Sequence, residues 1–164
     1  MKKHVLTTLL LTIVFNVLSF EVPKDYKLEN KEDYLPLETD VVNAINWLSE
    51  TPTDEQEGKR MDVNRFVLQW IVGSPYVHIE IKQEIFTFSD AAPDLLIIFL
   101  GGWAKYSIET KDYDNKIEGS LAGINAVIDF YTKNKKSLPK SKEIEDYIKM
   151  KEDGTLKEYV EKNA

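Results

Sequence analysis

The chain contains no cysteine. Thiol catalysis, thiolate metal sites and disulfide staples are therefore excluded together, and burial of apolar surface must hold the fold. Histidine is nearly as scarce, with only His4 and His78. An H-E-x-x-H zinc helix is absent, and a Ser-His-Asp triad would have to draw its base from His78 without a G-x-S-x-G elbow to present the serine. Glycine occurs seven times, but never as G-x-G-x-x-G or G-x-x-x-x-G-K-[ST], the loops whose backbone cradles phosphates. No cofactor is implied.

Long apolar runs are missing as well. "LLIIFLGGWA", residues 95–104, holds ten uncharged residues between Asp94 and Lys105, about half of the twenty that a bilayer crossing requires. The opening, "MKKHVLTTLLLTIVFNVLSF", begins with Lys2 and Lys3 and continues into an apolar region from Val5 to Leu18, interrupted by Thr7, Thr8, Thr12 and Asn16. A basic start, a short apolar centre and small residues at Val17 and Ser19 read as a secretory signal peptide over residues 1–19, leaving Phe20 as the mature start. The expected location is outside the cytoplasm, periplasmic or secreted, with no stable membrane insertion once the leader is removed.

Positive charge is in deficit. The formal net charge is −7, and loss of Lys2 and Lys3 with the leader takes it to −9. An acidic surface repels phosphate backbones, so nucleic acid is not expected as a partner. No basic amphipathic stretch favours an anionic membrane either. Three Trp, eight Tyr and seven Phe supply core material for a domain that hides roughly 70% of its unfolded surface.

What is present is mostly helical patterning. Residues 20–37 carry Pro23 and Pro36 without periodicity and read as an extended lead-in pinned by Tyr34 and Leu35. From residue 38 onward a helical domain is expected. Val41, Ala44, Ile45 and Leu48 recur at helix spacing, with Thr39 or Asp40 available as a cap. Thr53 and Gln56 have capping-box spacing ahead of a stripe formed by Met61, Val63, Phe66, Val67, Trp70 and Ile71. Gly73 and Pro75 end that helix. A helix from about Pro93 to Glu109 follows, then one over residues 117–134. In the latter, Ile117, Leu121, Ile124, Ile128 and Tyr131 form one stripe, and Gly119, Ala122, Gly123 and Ala126 form a second made only of small residues. That second stripe predicts close approach to the Gly101-Gly102 helix, with a kink at the two glycines as the competing explanation of their presence. Residues 133–142 read as a solvated basic link. A short helix ending at Gly154 turns Ile144, Tyr147 and Ile148 inward. Thr155 and Glu158 suggest a second capping box. The sum is a mainly α, single-domain bundle of about five to six helices.

One segment breaks the pattern. In "YVHIEIK", Val77, Ile79 and Ile81 alternate with His78, Glu80 and Lys82, the two-residue period of a half-buried strand. At most one short β element is expected, around 76–82, and an extended crossover fits equally. On a strand His78 and Glu80 share a face, which makes them the candidate ligand-binding pair for a metal or a proton. A solvated face continued by Lys82 is the plainer reading.

Other motifs resolve to structure. "DYDNKIEG" offers Asp112 and Asp114 at calcium-loop spacing, but Lys116 occupies the next ligand position and the glycine falls late, so a helix-initiating turn is expected. The acids of 53–57 and 143–146 suit first turns of helices. Trp47, Trp70 and Trp103 fall on inward faces. Catalytic and metal residues are not assigned.

The runs "NRFVLQWIVGSP", "LGGWAKYSIE" and "EGSLAGINAVIDFY" resemble a group of short exported helical proteins of Bacteroidota over residues 39–162. That resemblance implies an exported helical domain and brings no known activity or functional residues with it.

Three functions fit the residues. A non-catalytic module that binds a protein partner or forms a homo-oligomer comes first, since an isolated extended segment offers a free edge. A binder of a small apolar ligand between helices comes second. A carboxylate-dependent hydrolase comes third, because nothing selects one acid pair among 28 acids.

Overall fold

The three-to-four-residue periodicity becomes six α-helices among the described residues: α1 (Glu38–Glu50), α2 (Glu57–Gly73), α3 (Asp94–Thr110), α4 (Lys116–Lys133), α5 (Lys142–Glu152) and α6 (Leu156–Asn163). The computed structural model describes residues 19–88 and 91–164. The expected leader, residues 1–19, lies outside them apart from Ser19. Two 3-10 turns, Lys31–Asp33 and Leu35–Leu37, precede α1.

The uncharged run 95–104 forms the body of α3, which packs against α1, α2 and α4, most extensively against α4. A helix apolar on nearly every side needs neighbours on several sides, and α3 has them. Its two glycines serve different neighbours. A Cβ on Gly101 would press on Ile45 of α1, at 3.2 Å, while one on Gly102 would lie 2.6 Å from the Ala126 methyl and 2.8 Å from the Ala122 carbonyl oxygen of α4. On the facing helix, a Cβ on Gly119 would run into the Trp103 indole, at 2.2 Å, and one on Gly123 into the Phe99 ring, at 2.7 Å. The helix runs unbroken from Asp94 to Thr110. Close packing, not a break, accounts for the pair, offsetting the roughly 1 kcal/mol that each helical glycine sacrifices against alanine.

Trp47, Trp70 and Trp103 are all buried, as their faces predict. Several local expectations are corrected. Thr53 does not cap α2; Gln56, in a left-handed conformation (φ 51°), precedes the helix without a side-chain cap. The turn before it bends inward because the carbonyls of Leu48, Thr51 and Pro52 all accept from Arg60 Nη2, which leaves Thr53 away from the capping position. Thr39 and Asp40 do not cap α1 either, since the preceding 3-10 turn runs straight into it and places both inside its first turn. The Thr155 hydroxyl donates back to the Met150 carbonyl oxygen (3.4 Å) rather than closing a capping box on α6. Ser141, by contrast, caps α5 by accepting from the Ile144 amide.

Gly73 ends α2 without a left-handed turn; glycine is required there because a Cβ would come 2.2 Å from Tyr34 Oη. Tyr34 in turn fixes the lead-in: it is buried, its hydroxyl donates to Leu28 O, and its own carbonyl accepts from Trp70 Nε1 (3.0 Å). Leu35 does not share that role and is exposed. Phe20 and Tyr26 do, each lying against the Phe66 ring. Met61 is also exposed, since it projects from the side of α2 away from Val63.

No strand forms at 76–82 among the described residues. The segment is an extended crossover from α2 toward α3, and its inward residues become steadily less covered: Val77 is buried, Ile79 partly so, Ile81 47% exposed. Beyond it the chain is re-anchored. Tyr147 of α5 donates to Ile85 O (2.8 Å) and Tyr159 of α6 donates to Glu84 O (2.7 Å), while Phe86 and Phe88 stack edge-on against Phe99.

Candidate functional site

Helix α2 carries two apolar stripes. Val63, Phe66, Val67 and Trp70 face the core. Met61, Leu68 and Val72, spaced seven and four residues apart, stay on the surface, with Val72 78% exposed. An exposed valine of that degree at the end of a well-packed helix has nothing to gain from water.

Val72 lies on the wall between two depressions. One, of about 680 Å³, runs between α2 and the lead-in and is lined by Tyr26, Leu28, Leu68, Gln69 and Val72, with Tyr34 and Gly73 at its floor. Two hydrogen bonds join its lining residues: Tyr26 donates to Gln69 Oε1 at 2.6 Å, and Tyr34 to Leu28 O at 3.1 Å. The other, of about 480 Å³, lies between the end of α2 and the extended crossover. Its apolar wall includes Val72, Val77, Ile79, Ile81 and Leu100. Leu96, one turn before Leu100 on α3, is also exposed and continues the apolar face. Val72 lines both depressions and so joins their apolar walls, on a molecule whose composition is 30% charged.

The polar rim is where the two residues singled out by sequence sit. His78 and Glu80 both line the second depression. Among the described residues no hydrogen bond or ion pair joins them; Glu80 is held instead by Lys82 (2.6 Å) and by Lys116 from α4. Hydrogen bonds from Lys116 and Lys82, backed by their charge, pull the Glu80 carboxyl down to about 2. A carboxylate so strongly ionised is a poor general acid near neutral pH. Reciprocally, the bond to Glu80 raises Lys82 above its usual range. Among the described residues no cluster of three or more His, Asp or Glu side chains could hold a metal ion.

Other acids are engaged in holding helices together. Glu38 is buried and accepts from Lys111 and from the Tyr113 hydroxyl (3.1 Å), tying the start of α1 to the end of α3. Asp112 accepts from Tyr106 and Asn115, and Asn115 caps α4 through Glu118 N, so the 112–119 motif is the helix-initiating turn that its spacing implies. Asp114 is exposed. Lys133 and Lys135 pair with Glu50 and Glu145.

Sequence reasoning missed Val72 and Leu68 because the buried stripe of α2 dominates its periodicity. The signal was present as a second set at 61, 68 and 72. Among the described residues no helix is long and apolar enough to cross a membrane. Compared with protein-family models, curated proteins and solved structures, the chain matches none.

Proposed function

We propose that the protein is an exported, non-catalytic binding module that meets another polypeptide through the apolar surface centred on Val72. The observation behind this reading is that Val72, 78% exposed, joins two apolar depressions into a single face. Burying such a face against a partner removes apolar area from water at roughly 25 cal/mol per Å², and extended apolar patches rimmed by polar groups mark interaction surfaces. The acidic overall charge selects against nucleic acid and anionic lipid. Export rests on the leader pattern of residues 1–19.

The discriminating experiment places a photo-reactive side chain at Val72 in cells and compares it with the same protein carrying Leu68→Glu. Capture of a defined polypeptide at position 72, lost when a glutamate stands beside it at Leu68, is the expected result. Because Val72 makes little contact with the core, Val72→Glu should leave the melting temperature within about 2 °C of wild type, as surface changes of under 0.5 kcal/mol do. A protein that gives no adduct at position 72 at any growth stage contradicts the reading.

The 680 Å³ groove supports a second reading, a small apolar ligand held against Tyr26, Leu68 and Val72, since its volume lies in the range of ligand pockets. Native mass spectrometry of the purified protein separates the two: a co-purifying mass lost in Leu68→Glu favours the ligand, and a clean apo mass favours the polypeptide.

A further inference from the structure

The extended crossover beside Val72 has an unused backbone. Tyr76 and Val77 donate their amides to Ser74 Oγ (3.2 and 3.3 Å), and Lys82 O accepts the amides of Ile85 and Phe86. Between those two anchors, no hydrogen bond reaches the backbone of His78, Ile79, Glu80 or Ile81 among the described residues. Exposed, extended and unpaired backbone is the template on which another strand adds.

The sequence of this edge specifies which strand. "VHIEI" reads apolar–polar–apolar–polar–apolar about Ile79. Laid antiparallel on a second copy with Ile79 at the centre, it sets Ile79 against Ile79, Val77 against Ile81, and His78 against Glu80. Every apolar residue then meets an apolar one. The polar pairs, two by symmetry, each set a carboxylate against an imidazole, a hydrogen-bonding pair of cross-strand type. A shift of one residue would set apolar against polar at each position.

We infer that the occupant of this surface is a second copy of the chain, paired antiparallel through His78–Ile81 about a two-fold axis at Ile79. The inference rests on the binding reading above and names its partner. A two-fold axis perpendicular to the paired segments keeps Val77, Ile79 and Ile81 of both copies on one face. The exposed Ile81 and Val72 of each copy are then covered from across the axis, and the interface is isologous, the commonest form of closed oligomer. His78 and Glu80 of the two copies are brought together across the axis, at the rim of the depression where Lys82 and Lys116 already flank the carboxylate. The arrangement assigns His78 and Glu80 a joint role, between subunits and not within one.

A cysteine-free chain makes the register directly testable. A single Ile79→Cys substitution can form a disulfide only between copies, and the proposed register puts the two thiols opposite each other, about 5 Å apart between Cα atoms, within disulfide reach. His78→Cys alone puts them roughly 8 Å apart along the diagonal, beyond that reach, whereas a mixture of His78→Cys and Glu80→Cys proteins restores an opposed pair. The full-length chain is expressed, purified and oxidised mildly at about 0.15 M salt, where repulsion between acidic copies is largely screened. Ile79→Cys and the 78/80 mixture should cross-link at least tenfold faster than Gly58→Cys, an exposed control whose added atoms meet nothing, and than His78→Cys alone, because pairing raises the effective thiol concentration to about millimolar.

Equal rates at all four overturn the pairing, and so does faster linkage of His78→Cys to itself. His78 and Glu80 are exposed, so the mixture decides the matter even where Ile79→Cys impairs folding. The Val72 photo-adduct separates the two failures. An adduct to a different polypeptide without cross-linking at 79 or in the mixture removes the second copy and leaves a binding module; no adduct and no cross-link remove both.

Discussion

Arg60→Ala is expected to destabilise the protein by about 3–5 kcal/mol. Arg60 is 4% exposed. Its Nη2 donates to the carbonyls of Leu48, Thr51 and Pro52, where α1 ends and the chain turns toward α2. Helix C-termini leave carbonyls without intrahelical partners, and here one guanidinium gathers them while lying near the Trp47 and Phe130 rings (5.9 Å to each centroid). Burial depresses its pKa, and Asp94 opposes that. Truncation leaves Leu48 O and Thr51 O buried without donors and opens a gap beside Trp47. Arg60→Met separates the two parts of the cost, since it fills the gap and leaves the carbonyls orphaned. Denaturant midpoints for the two variants measure this; Arg60→Met unfolding at the wild-type midpoint would mean that the carbonyl bonds contribute nothing.

Gly123→Leu should cost about 3 kcal/mol or more, the upper part of the range for overpacking a core, and lower the melting temperature by roughly 6–12 °C for a chain of this size. A Cβ at Gly123 would sit 2.7 Å from the Phe99 ring and 2.9 Å from the Phe99 carbonyl oxygen. A ring can rotate aside, but a carbonyl within a helix cannot, so α3 and α4 must separate. Separation also weakens the Gly102 contact with Ala122 and Ala126 and the Gly119 contact with Trp103. Gly58→Leu in the first turn of α2, where a Cβ meets nothing, is the control. Equal melting temperatures for the two variants would show that the helices are not held by close approach.

These two contacts differ in how far the sequence reveals them. The glycine contact was legible, because a stripe of small residues on residues 117–134 and a glycine pair in an otherwise bulky run have few explanations other than proximity. Arg60 was not legible, since an arginine in a charged first turn reads as solvated; only the inward bend of residues 51–56, fixed by tertiary packing, brings carbonyls to it. The same bend defeated the Thr53 capping box. The caps at Thr39 and Thr155 failed for related reasons: a turn running into the helix in one case, a competing carbonyl in the other.

The surface followed the same logic. The alternation at 76–82 correctly marked an extended segment, and periodicity alone could not say that it would lack a neighbour to pair with. His78 and Glu80 were legible as a pair sharing a face. Which groups they meet was not, because Lys116 reaches Glu80 from α4, a separation of 36 residues. Val72 was hidden by the stronger stripe on its own helix. It became visible only when the crossover and the lead-in were seen to leave that side of α2 uncovered.

Amide hydrogen exchange across a concentration series bears most directly on the picture of a rigid core with an unpaired edge beside it. Amides of Ile98–Tyr106 in α3 should be the slowest in the molecule, exchanging only with global unfolding, while those of His78–Ile81 exchange near the unprotected rate in dilute solution and slow as concentration rises. Fast exchange throughout α3, or protection of His78–Ile81 that is already complete in the most dilute sample and independent of concentration, would contradict it.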